Sequence, residues 1–232
     1  MQIALCLMAA FTSGYVVKIL YSYAFTRGYV DHIEPNVVIA AWRYQAGYAI
    51  YQSYDEWPVF ANAYGPLVYL FHAAVFWLAG ASIALSKLAN SIAVILTIAL
   101  FFGYCLKRYQ LTSACIGTLF LMGFILYNSP ITIWSRPDPF TMFLSVAAVA
   151  GKEILPSRMG KWAPHVIVGI CIGLAVNLKV HSFVYFIPLI IYLCGWTNFA
   201  QMALIIATSF AVFSLPFMLP NVSFVNYVQT LF

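Results

Sequence analysis

Apolar runs of near-span length alternate along this chain with short polar joints. They cover Gln2–Tyr23, Gly65–Leu85, Leu88–Cys105, Leu111–Tyr127, Phe140–Leu155, Ala163–Leu178, Ser182–Trp196 and Met202–Leu219. Each is about 15–22 residues long and lacks period-two alternation, so helices are predicted rather than barrel strands. A polar-aromatic tail, Pro220–Phe232, closes the pattern.

The one long polar interruption follows the first run. Pro35 suits the first turn of a short helix running to about Tyr51, with Glu34 at its partly positive end. On that helix Val37, Ala41, Tyr44, Tyr48 and Tyr51 share one face; Asn36, Ala40, Arg43 and Gly47 share a small or polar one. This is the pattern of a helix lying in the membrane interface. A turn-like segment, Gln52–Pro58, leads to Tyr64-Gly65-Pro66 and the next apolar run.

Composition excludes a soluble domain. Of 232 residues 64% are hydrophobic and 7% charged, with a mean hydropathy of +0.91, which leaves too little polar surface to clothe a globule in water. The net charge of +5 is scattered, with no basic stripe for nucleic acid. The five cysteines fall in or near apolar runs without metal-ligand spacing and read as small packing residues. The first run has no basic leader, contains Lys18 and lacks a cleavage site, so an uncleaved helix is expected. The chain reads as an integral, multi-pass membrane protein.

Topology turns on Gly65–Leu85. Counted as a span, it places Lys107, Arg108 and the Lys152–Lys161 cluster on the side of the acidic loop, against the positive-inside rule. Treated as interfacial or re-entrant, it gives about seven transmembrane helices with the N-terminus inside. The first extracytoplasmic loop, residues 26–87, then carries juxtamembrane helices. Asp31, Glu34, Lys87, Arg136, Asp138, Lys179 and His181 fall on one outer face.

Four of the six acids, Asp31, Glu34, Asp55 and Glu56, crowd that loop. A lipid-linked phosphate at this face would be held by Arg136 and Lys179, while Asp31 or Glu34 takes a proton from an acceptor hydroxyl. Against this, Asp55 and Glu56 suit a solvated loop, Arg136 and Asp138 a local ion pair around Pro137, and Lys18 a snorkelling anchor. His32 and His181 with nearby carboxylates offer at most a divalent-metal site, and they stand in separate loops. His72 and His165 are expected at interfaces.

These segments occur in a familiar order: Asp31-His-Ile-Glu34, then AAWRYQAGYAIY (Ala40–Tyr51), YGPLVYL (Tyr64–Leu70), Lys87 at a span start, SRPD (Ser135–Asp138) and NLKVH (Asn177–His181). In that order the chain resembles the GT-C superfamily of membrane glycosyltransferases, in particular bacterial relatives of family 39, the protein O-mannosyltransferases and lipid A aminoarabinose transferases. The resemblance implies an all-α polytopic fold over residues 1–232, as a short member or the N-terminal portion of a longer enzyme. It implies transfer of a sugar from a polyprenyl-phosphate donor to a lipid, glycan or protein acceptor, outside a bacterial inner membrane. By position, Asp31 and Glu34 take the catalytic acidic motif, Lys87 the place of a functional arginine, Arg136 and Asp138 the second-loop motif, and Lys179 a phosphate-side lysine; His181 lies beside it. The family pattern has adjacent Asp-Glu where two residues intervene here, so which acid is the base stays open.

The alternative is a secondary transporter or flippase-like protein for a lipid-linked or anionic solute. Such proteins place ionisable groups near the bilayer midplane, whereas nearly all the charges here stand at span ends.

Overall fold

The structure is a computed structural model describing residues 2–53, 62–154, 160–195 and 197–231; Asp55, Glu56 and Arg158 fall outside them. The described residues are helical, without strands. In order they form α1 (Gln2–Ala24), α2 (Ile33–Gln45), α3 (Pro66–Ala79), α4 (Ile83–Arg108), α5 (Leu111–Tyr127) and the single turn α6 (Ser129–Thr132). Then come α7 (Asp138–Ile154), α8 (Ala163–Leu178), α9 (Ile187–Cys194), α10 (Phe199–Ser214) and α11 (Phe224–Leu231). Short 3₁₀ helices, Val180–Phe186 and Leu215–Met218, precede α9 and follow α10.

Among the described residues three helical segments are long and apolar enough to cross a membrane: Gln2–Ala24, Ile83–Arg108 and Phe199–Met218. Exposed apolar side chains such as Phe11, Phe120 and Phe210 suit a lipid environment and not water.

Three expectations change. The juxtamembrane helix stops at Gln45 instead of running to Tyr51, because Gly47 turns the chain at a φ of 90°. Its inner face is Glu34, Val37, Ala40 and Ala41, so Ala40 belongs with the buried side. The Gly65–Leu85 run does not form one helix: α3 ends after 14 residues at Gly80, and α4 begins afresh behind a Ser82 cap. The stretch expected as Ser182–Trp196 opens as a 3₁₀ helix from Val180, which rises more steeply than α. By contrast α5 and α8 keep their predicted limits.

The tightest helix pair is α8 against α10. Gly169 and Gly173, one turn apart, face Thr208 and Ser209; a Cβ on Gly173 would stand 2.6 Å from the Ser209 carbonyl oxygen. Small residues at this spacing let two backbones approach where lipid supplies no hydrophobic drive. At the end of α8, Gly65 meets Asn177 as closely, and its amide donates to the Leu178 carbonyl at 3.1 Å. The Tyr64-Gly65-Pro66 turn is thus fastened to the Asn177–Lys179 strap.

Candidate functional site

The polar ends of α1, α2, α4, α7 and α8 meet at one end of the bundle. Asp31 precedes α2, and its Oδ1 accepts the amides of Ile33 and Glu34 at 2.9 and 3.0 Å, in the manner of a helix cap. Its Oδ2 forms an ion pair with the Arg136 guanidinium, the two side chains 13% and 18% exposed. The same guanidinium lies 5.4 Å from the centre of the Trp134 ring.

Glu34 has another environment. It is wholly buried; Oε1 accepts the Tyr23 hydroxyl and the Ser135 amide, and Oε2 accepts the Val30 amide at 2.7 Å. These donors satisfy both oxygens of the enclosed carboxyl group. The resemblance left the two acids equivalent; burial separates them. Asp31 reaches solvent and Glu34 does not.

Lys87 is fully buried as well. Its ammonium donates to the carbonyls of Tyr23, Thr26 and Gly28 and lies 4.8 Å from the Tyr23 ring centre. An ammonium has three N–H groups, so the expected donor-phosphate role finds them committed. The lysine closes the negative end of α1.

Asp138 opens α7, where a carboxylate favours the helix dipole, and pairs with Lys179 at 3.0 Å. Arg136 and Asp138 are two residues apart, so the two ion pairs stand within about 7 Å along the backbone. The local Arg136–Asp138 pair considered from sequence does not form; each residue pairs with a distant partner. His181 is exposed, its ring edge-on to Tyr185. His32 is exposed too, and among the described residues no three His, Cys, Asp or Glu side chains gather as a metal site.

Beside Asp138 a groove of about 290 Å³ runs down between α5 and α7, lined by Asn128, Ile131, Thr132, Thr141, Met142 and Tyr185 among others. Its walls are apolar with hydroxyls interspersed. Tyr64 flanks the same acid; burial, then the Asp138 charge, pushes its phenol up to about 12.

Three residues to which the sequence assigned no role hold the site together: Tyr23, Ser135 and Asn90. The Asn90 carboxamide donates to the carbonyls of Trp134 and Arg136 at 2.9 and 2.8 Å. The signal for it is an asparagine inside an apolar run, where polar side chains need partners.

No family model, curated protein or solved structure matches the chain.

Proposed function

We propose that this protein is a multi-pass membrane glycosyltransferase of the GT-C kind, transferring sugar from a polyprenyl-phosphate donor at the extracytoplasmic face. The supporting observation is the pairing of a solvent-reaching acid, Asp31, with Arg136, two residues along the chain from the Asp138–Lys179 pair. Seven crossings carry it: α1, α4, α5, α7, α8, the 3₁₀ stretch with α9, and α10. α3 stays at the interface, and Lys107 and Arg108 face the cytoplasm.

In the donor-free state each cation is held by a carboxylate. A donor phosphate competes for Arg136 and Lys179, and its arrival frees Oδ2 of Asp31. An acceptor hydroxyl oxygen then attacks the anomeric carbon, the bond from that carbon to the phosphate oxygen breaks, and the hydroxyl proton passes to Asp31. Polyprenyl phosphate leaves with the electron pair, its charge balanced by Arg136 and Lys179. The groove beside Asp138 suits the first units of an apolar chain attached to such a phosphate.

The test is turnover of polyprenyl-phosphate sugars by the chain in lipid nanodiscs, comparing Asp31→Asn with the parent. Loss of transfer in a variant that still folds is expected. Transfer at the parental rate by Asp31→Asn would remove the base from the scheme.

A further inference from the structure

α1 and α5 lie side by side and run parallel. Cys6 stands 3.8 Å from Cys115, sulfur to sulfur, and seven residues on in both helices the Ser13 hydroxyl meets the Met122 sulfur at 3.4 Å. Seven residues are about two helical turns, so the same faces of the two helices meet twice. Both thiols are free; Cys6 is half-buried and Cys115 enclosed. They border a cleft of about 410 Å³ between α1, α4 and α5, with Ala10, Ala99 and Phe102 on its walls. Two sulfurs in contact must close to about 2.0 Å to bond, and the cleft beside them leaves room for a sulfur to turn.

The buried residues of α1, Val16, Leu20, Tyr23 and Ala24, all belong to its second half. Its first half presents Ile3, Leu7 and Phe11 outwards. Packing therefore grips α1 at the end where Tyr23 reaches Glu34 and holds the other end lightly. Cys6 lies at that lightly held end, about 25 Å along the helix from Tyr23.

We propose that Cys6 and Cys115 form a disulfide-forming site: a small disulfide oxidises them to a reversible bridge that clamps the start of α1 to the start of α5. The half-buried thiol reacts first. Cys6 gives up its proton and its sulfur attacks one sulfur of the small disulfide; that S–S bond breaks, and one half leaves with the electron pair and takes up a proton. Cys115, deprotonated in turn, attacks the Cys6 sulfur and expels the second half, which is protonated likewise. Two protein thiols and one small disulfide become one protein disulfide and two small thiols, and the protein gives up two electrons. Excess small thiol reverses both steps. The bridge joins residues 109 apart and so constrains the unfolded chain. On the topology proposed above both helix starts face the cytoplasm, but the chemistry rests on the contact and not on sugar transfer.

The test treats the whole chain in nanodiscs with dithiodipyridine, a small aromatic disulfide whose released thiol is counted by absorbance. Remaining thiols are blocked before unfolding, and peptides are mapped by mass. The native chain should release two aromatic thiols. Its Cys6 and Cys115 peptides should appear joined, two hydrogens lighter than their sum, and separate on addition of dithiothreitol. Cys115→Ser should stop at the mixed disulfide on Cys6, and Cys6→Ser should leave Cys115 unmodified. The bridged chain should melt at a higher temperature than the same sample after reduction. Unreacted thiols in the native chain, or a mixed disulfide that persists on Cys6, would overturn the proposal. So would a bridge from either cysteine to Cys105, Cys171 or Cys194, and a bridge that leaves the melting temperature unchanged would remove the clamp. The native peptide map decides even if a serine variant does not fold, and none of these signals needs a working transferase.

Discussion

The carboxylate of Glu34 accepts the backbone amide of Ser135 at 3.0 Å, joining residues 101 apart in sequence inside a fully buried cluster. This contact and the Asp31–Arg136 ion pair fasten the loop after α1 to the segment before α7. One contact is enclosed and the other reaches solvent, so neighbouring acids take separate duties. Glu34→Gln turns one acceptor into a donor facing donors. We expect a loss of about 1–3 kcal/mol of stability, read as an earlier melt in detergent, with Asp31→Asn melting within about 1 kcal/mol of the parent.

Arg136 is matched to a carboxylate in the resting state and to a phosphate in the proposed one. Arg136→Lys keeps the charge but not the planar fork. It should bind donor about tenfold more weakly or worse, in line with the loss of a charge-assisted bond, while folding normally. Equal donor affinity in the two proteins, by competition with inorganic phosphate or polyprenyl phosphate, would count against Arg136 as a phosphate ligand.

Much of the scaffold is legible in the sequence, because the hydrocarbon core imposes its thickness on apolar runs. The polar joints at Gln110 and Asn128 bound α5, and α8 runs from Ala163 to Leu178 with Lys179 at its end, as read. The site is legible as a set of residues at one end, since span ends of one sense must gather there. Its inner wiring is not. Asp31 and Glu34 differ by burial, which depends on Tyr23 and Ser135 arriving from α1 and the pre-α7 segment. Lys87 reads as a cation facing the donor until α4 is seen to turn it inward. Gly169-Ile-Cys-Ile-Gly173 was open to reading as a contact motif, but periodicity registers only an apolar run.

That glycine pair makes its own prediction. A leucine at Gly173 must displace the Ser209 backbone or the Val212 side chain, both closer than a real Cβ stands. Separation of α8 from α10 should cost about 1–3 kcal/mol, whereas Gly103→Leu, where a Cβ meets nothing, should fold normally. Unfolding of the two variants in mild detergent compares them directly.

Alkaline pH should unfold the protein from the loop and tail side. Burial pushes Tyr227 of α11 up to about 12, as burial and Asp138 do Tyr64. Both phenols stay protonated in the native state while the unfolded chain loses protons from about pH 10. The unfolded state then binds fewer protons, so stability is intact below pH 10 and falls as pH rises towards 12. An ultraviolet phenolate titration should show a late-titrating fraction that appears together with loss of helix signal. Replacing Tyr64 and Tyr227 by Phe should shift that unfolding to higher pH.

Lys87 separates the structural from the ligand-binding account most sharply. Read from sequence it faces a phosphate; in the structure its ammonium joins three carbonyls where α1 ends and the loop begins. Lys87→Met keeps the apolar stem and removes the charge. It strands the buried Tyr23 carbonyl, breaks the part-buried contacts to Thr26 and Gly28 and leaves the α1 dipole unopposed, so stability should drop by about 3 kcal/mol, as when one partner of a buried charged contact is lost. A salt-insensitive deficit is expected, because the contact is shielded from solvent. Donor affinity, measured below the lowered melting temperature, should stay within about twofold of the parent. If Lys87→Met instead melted like the parent and lost donor binding, the ammonium would have to leave those carbonyls for the phosphate, and the lysine would belong to the site and not to the frame.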